Sequence, residues 1–184
     1  MLRLTGFLSI IFLTGCATLS QEECVRADWF ALGANDGHAG QPISRLSEHA
    51  TACSDYGITV NDPAYLAGRE QGLQAYCQLN NAFETGLNGQ TYYHVCPPPI
   101  DVLFRRYHAA AFAVHEDRYN LERLDDELSS KESQLRDKKL ADDKRAKIRD
   151  DIRDLDRKRD RLRDDFYYHQ RQLDDLRQEA RSYR

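Results

Sequence analysis

The sequence lacks proline and glycine after Ile100; all five prolines and all ten glycines precede that residue. Nothing in residues 101–184 therefore breaks a helix, and dense charge with apolar residues three and four apart predicts long helices there. Positive charge is scarce in the preceding part. Residues 17–100 hold 3 Lys and Arg against 9 Asp and Glu, whereas residues 101–184 hold 22 against 21. Neither part offers the basic face that neutralises phosphates, which excludes nucleic acid as a partner. No apolar run approaches the roughly 20 residues that cross a bilayer as a helix. Catalytic signatures are missing too: there is no GxSxG elbow, no HExxH helix and no glycine-rich phosphate loop. The polar residues of catalytic type before residue 100 are Asp36, His38, His49, Asp55, Asp62 and His94, and His49 and Asp36 are expected to cap helices, bridge turns or meet solvent. Paired CxxC or CxxxxH spacings are absent, and His49 with Cys53 is the only close pair, so neither a metal nor another cofactor is expected.

What is present begins at the N-terminus. Arg3, a short apolar stretch over residues 4–13 and Leu13-Thr14-Gly15-Cys16 resemble the signal peptide and lipobox of a bacterial lipoprotein. The resemblance implies removal of residues 1–15, acylation of Cys16 and a lipidated linker over residues 16–23. Acyl chains anchor stably because each buried methylene contributes about 0.8 kcal/mol. Ala17, where aspartate would resemble an inner-membrane retention signal, implies the outer membrane of a Gram-negative cell, with the chain facing the periplasm.

Four cysteines remain: Cys24, Cys53, Cys77 and Cys96. In an oxidising compartment an even count reads as two disulfides. Of the three possible pairings, Cys24 with Cys53 and Cys77 with Cys96 is favoured because each closes a short loop. Phe30-x-x-Gly33-x-x-x-Gly37 recurs 35 residues later as Tyr65-x-x-Gly68-x-x-x-Gly72, and a shorter version follows at Phe83-x-x-Gly86-x-x-Gly89. This spacing places the residues on one helix face, where glycine admits another backbone and the ring covers the seam. Asn35-Asp36-Gly37 and Leu87-Asn88-Gly89 also read as turns. Asp62 is the expected N-cap of a helix with Pro63 at its first position. Residues 90–96 are the best strand candidate. Arg69 is expected to pair with an acidic neighbour. Tyrosine is abundant, and Trp29, Tyr65, Tyr76 and Tyr92 are candidates for a ligand groove, although most aromatics of so small a domain belong in its core.

Trp29, Gly33, Asp36-Gly37, Gly40, His49, Cys53, Tyr65, Gly68-Arg69, Gly72-Leu73, Tyr76-Cys77, Gly86, Gly89 and Val95-Cys96-Pro97 together resemble domain-of-unknown-function family 2799 of proteobacterial lipoproteins. The resemblance covers residues 24–100 and implies no particular activity.

The tail carries two heptad runs. Tyr107, Val114, Leu121, Leu128 and Leu135 repeat at position a with Ala110 and Leu124 at d; Ile148, Leu155, Leu162, His169 and Leu176 repeat at d with Ile152, Phe166, Leu173 and Ala180 at a. The runs are out of phase, so a single rod would need a stammer. A turn over residues 139–144 removes the conflict and sets Leu135 against Ile148, Leu128 against Leu155 and Leu121 against Leu162. Asp142 or Asp143 would cap the second helix, and Asp150–Arg153, Asp154–Lys158, Asp160–Arg163 and Asp174–Arg177 would pair along its surface. Asp117, Lys131, Arg159 and His169 are polar seam positions that set register or receive a partner. The whole reads as mainly α: a small disulfide-braced, Gly/aromatic-rich module over residues 24–100, then a long antiparallel coiled-coil hairpin over residues 101–184. The expected role is non-enzymatic: an envelope protein or a second copy engages the coiled coil. Binding of envelope glycan or peptide in an aromatic groove is the alternative.

Overall fold

The computed structural model describes residues 18–182, so the expected signal peptide and the lipidation at Cys16 lie outside the described residues. Among the described residues seven helices follow one another: α1 (Gln21–Arg26), α2 (Trp29–His38), α3 (Ser44–Ser54), α4 (Asp62–Tyr76), α5 (Leu79–Leu87), α6 (Ile100–Leu135) and α7 (Asp142–Arg181). No strand occurs among the described residues. Residues 90–96, the strand candidate, have no partner strand. Two of their backbone groups meet side chains, with Cys96 N–H donating to the Tyr92 hydroxyl at 3.2 Å and His108 Nε2 bonding the Gln90 carbonyl at 2.7 Å, and the Gln90 N–H donates to the Thr85 carbonyl at 3.0 Å.

Local chemistry sets the helix starts. Ser20 and Glu23 form a reciprocal capping box on α1, and Asp28 accepts from Ala31 N–H at 3.0 Å to open α2. Asn61, not Asp62, caps α4, by accepting from Ala64 N–H, which puts Asp62 and Pro63 at its first two positions. The shift costs nothing, because either Asx residue can accept there and proline is equally tolerated one residue further in.

The 35-residue echo is a packing device. A Cβ on Gly33 would stand 2.0 Å from the Tyr65 carbonyl oxygen, and one on Gly68 would stand 1.9 Å from that of Phe30. Gly37 meets the Arg69 carbonyl and Gly72 meets that of Ala34 in the same reciprocal way. Each contact in one helix is repeated by its counterpart 35 residues away, so α2 and α4 form an internal two-fold pair with backbones in direct contact. Gly37 is therefore helical rather than part of a turn. The rings behave unequally. Tyr65 is buried because its hydroxyl has a buried partner, whereas Phe30 is 42% exposed and covers no seam. The third echo packs elsewhere: Gly86 admits the His108 carbonyl of α6, and Gly89, at φ +69°, makes the turn after α5.

Both favoured disulfides are present, Cys24–Cys53 and Cys77–Cys96. Around the first lies a small cluster of Leu19, Trp29, Leu32 and Ile58. Around the second lies the main core, where Tyr76, Phe83 and Tyr92 pack with Phe104, Tyr107, Ala111, Val114 and Leu173. This core crosses residue 100 and takes in the bases of both long helices.

The chain turns over residues 136–141, where Arg145 donates to the carbonyls of Leu135 and Asp137 at 2.7 and 2.9 Å and so caps the end of α6. Ala141 is the N-cap of α7 and contributes no side-chain bond; Asp142 and Asp143 stand in its first turn, where carboxylates favour the helix dipole without capping. Contacts between α6 and α7 then run in opposite order along the two helices: Arg106 with Glu179, Asp117 with His169 and Lys131 with Asp151. Leu128, Ile148 and Leu155 are buried between the helices, and Leu121, Leu135, Ile152, Leu162 and Phe166 are half-buried. Asp150–Arg153 and Asp174–Arg177 pair as expected. Asp154 takes Arg157 in place of Lys158, and Asp160–Arg163 is not among the ion pairs of the described residues.

Candidate functional site

Three arrangements carry the chemistry of the molecule. The first fastens the N-terminus. α2 supplies Asp36, α3 supplies His49 and α4 supplies Tyr65, all turned into the space between the helices. Asp36 Oδ2 accepts from the Tyr65 hydroxyl at 2.7 Å and from His49 Nε2 at 2.9 Å, while His49 Nδ1 lies 3.0 Å from Thr18 Oγ1. A carboxylate only accepts, so with a neutral imidazole the His49 Nε2–H donates to Asp36 and Nδ1 accepts a hydrogen bond from the Thr18 hydroxyl. His49 is 2% exposed. Burial, then the Asp36 hydrogen bond, push the Tyr65 hydroxyl well above the ordinary tyrosine pKa. The residue at the outer end of this chain is Thr18, and Leu19 beside it is buried in the Cys24–Cys53 cluster. Asp36 and His49, expected to cap helices, bridge turns or meet solvent, instead join α2, α3 and α4 in the interior. Thr18 carries no sequence signal that singles it out.

The second arrangement is the aromatic core, and it corrects the expected groove. Tyr65 belongs to the hydrogen-bonded chain just described. Tyr76 stacks on Phe104 and Tyr92 packs against it at a tilt, with ring centroids 5.3 and 4.5 Å apart. Trp29 packs half-buried against Leu19, Cys24 and Cys53. These four side chains are not brought together on a surface, because a small domain fills its interior with its largest apolar groups. Tyr92 donates to Asp101 at 2.7 Å, and burial, then that bond, raise its pKa. Tyr92 reaches a cleft wall, in an opening of about 430 Å³ shared with His94, Arg105, His108 and Phe112. Another cleft, of about 610 Å³, lies beside α4 and is lined by Leu66, Leu73, Val95, Pro97 and Ile100 with Arg69. Arg69 donates to the Gln41 carbonyl at 2.8 Å and not to an acidic neighbour, since its side chain bridges the end of α2 to α4.

The third arrangement is the seam between α6 and α7, where the polar positions find partners. His169 Nδ1 bonds Asp117 at 2.6 Å, Lys131 bonds Asp151 at 2.7 Å, and Arg159 reaches Asp156 at 2.9 Å and Asp125 at 3.6 Å. The Lys131 hydrogen bond holds the Asp151 carboxyl below the usual carboxylate range. Tyr119, Tyr167 and Tyr168, each about half exposed, flank the Asp117–His169 pair in sequence. Among the described residues no group of three or more His, Cys, Asp or Glu could hold a metal ion, and no helix is long and apolar enough to cross a membrane.

A stapled helical module continuous with a long helix pair defines the class of protein. Residues 28–113, from the start of α2 into the first part of α6, match the family described as Protein of unknown function (DUF2799). No match was found among curated proteins or among solved structures.

Proposed function

We propose that this is a lipid-anchored, non-enzymatic protein of the Gram-negative outer membrane, facing the periplasm, whose two long helices form an antiparallel coiled-coil hairpin that engages another envelope protein or a second copy of the chain. Cys16 carries the anchor, and the Gly/aromatic module with its two disulfides is the platform. The observation that carries this reading is the division of labour along α6. Its first part is fixed in the module core through Phe104, Tyr107, Ala111 and Val114. Beyond Val114 the helix continues for roughly 30 Å at 1.5 Å per residue, held mainly by the seam with α7. Such an arm is rigid, solvated and cross-braced by Asp117–His169 and Lys131–Asp151, which suits reach and recognition rather than chemistry. The alternative, a binder of envelope glycan or peptide, loses support because Tyr65, Tyr76 and Tyr92 are consumed by the core.

The test is photo-crosslinking in cells from positions 119, 167 and 168, compared with a variant whose α6 is joined to α7 by a short turn between Leu121 and Leu162. Adducts to a defined protein, lost in the shortened variant, are expected. Absence of adducts from the arm, with every envelope phenotype kept by the shortened variant, overturns the reading.

A further inference from the structure

The clasp at Thr18 fixes how far the module stands from its anchor. Resting on the lipid-anchored reading, only Ala17 separates the acylated Cys16 from Thr18, and two Cα steps span at most about 8 Å. Thr18 is held by His49, Leu19 is buried against Cys24–Cys53, Ser20 and Glu23 close a capping box, and Cys24 is covalently tied to α3. A flexible tether is therefore missing between lipid and fold; a 15-residue Gly/Ser linker would by contrast allow an r.m.s. separation of about 20 Å.

We propose that the front module lies directly on the bilayer surface, with its N-terminal corner (Thr18, Leu19, α1 and the first turn of α2) facing the lipid headgroups and Val25 and Phe30 entering the interface. Val25 is 67% exposed and Phe30 is 42% exposed, so two large apolar side chains of this corner stand partly open to solvent in the folded chain. Both are near the clasp in the chain, since α1 spans only about 9 Å. Aromatic and aliphatic groups at this depth meet the acyl boundary while charged neighbours remain in water. Those neighbours are Glu22, Glu23 and Asp28 with Arg26, an acidic set that opposes an anionic surface and favours zwitterionic headgroups. Free affinity of so acidic a corner for lipid is weak; the covalent anchor makes the contact by holding the corner at high effective concentration.

The protein carries its own reporter, because Trp29 is its only tryptophan and packs on Leu19. The full lipidated chain is reconstituted in phosphatidylcholine vesicles containing a few headgroup-dansylated lipids, and energy transfer from Trp29 to dansyl is measured with flotation and intact mass. The expected result is flotation with strong transfer. Inserting 15 Gly/Ser residues between Ala17 and Thr18 keeps flotation but lowers transfer severalfold, and the surface variant V25E/F30E lowers it without changing flotation or circular dichroism. A wild-type chain that floats yet transfers no better than the insertion variant overturns the proposal alone, and V25E/F30E with undiminished transfer overturns the assigned face. A chain that bears no acyl group and does not float overturns the anchored reading and the proposal with it.

Discussion

The α2–α4 pair and the α6–α7 pair solve helix packing in opposite ways. In the first, side chains are withdrawn and the backbones touch through Gly33, Gly37, Gly68 and Gly72. In the second, glycine and proline are absent and a row of leucine and isoleucine side chains fills the seam. Glycine inside a helix costs up to about 1 kcal/mol relative to alanine, so four of them in two short helices weaken the elements that they join. The module offsets this with two disulfides and a buried hydrogen-bonded chain. The α6–α7 pair has neither among its described residues, and relies on length. Contact through backbones tolerates no added atom, whereas contact through a long seam spreads the loss of any one.

Substitutions can break this contrast in order of size. Gly68→Val places branched carbons on the Phe30 carbonyl, and a loss above about 3 kcal/mol is expected. Trp29 fluorescence, which reports the module, should lose its cooperative urea transition while far-ultraviolet circular dichroism, dominated by α6 and α7, changes far less. Replacing Cys77 and Cys96 by serine removes one staple and should cost about 3 kcal/mol by urea midpoint. Leu155→Ala, at a buried seam position, should cost about 2 to 3 kcal/mol, seen in the circular dichroism transition before that of Trp29.

Smaller effects separate the regions by pH. Tyr65 has a raised pKa in the fold, so its contribution is complete below pH 10 and is lost as pH rises through the folded value. Tyr65→Phe should cost about 1 kcal/mol near neutrality and flatten the alkaline loss followed by Trp29. Asp151 has a lowered pKa, so its contribution is present above 3.8 and is lost as pH falls through the folded value. Lys131→Met should remove that acid dependence from the helix signal, the smallest effect of the series because Asp151 is solvated.

What the sequence makes legible follows periodicity and covalent reach. The seam from Leu121 to Phe166 could be read because heptads repeat, and the phase break between Leu135 and Ile152 locates the turn to within a few residues. Cys24 with Cys53 and Cys77 with Cys96 could be read because each loop is short. The 35-residue echo marked a helix face but not its partner; that the two copies face each other is a long-range fact with no local sign. Residues 90–96 look like a strand because tyrosine and valine favour extended backbone, yet a strand needs an edge to pair with, and none exists among the described residues. Trp29 and the tyrosines look like a groove for the same reason that they build a core. The Thr18–His49–Asp36–Tyr65 chain joins four segments, and no pairwise spacing discloses it.

The reciprocity of α2 and α4 bears on assembly. A two-fold contact inside one chain has the geometry of a symmetric dimer. The face that α2 presents to α4 is the face it would present to the same helix of another copy, so exchange between molecules needs no new complementary surface. What selects closure within one chain is the connection over residues 39–61, and Cys53 in that connection is tied back to Cys24 ahead of α2. The disulfide pins the returning segment beside the helix it must meet and lowers the entropic cost of closing the pair on itself. Once formed, it commits each chain to its own partner helix.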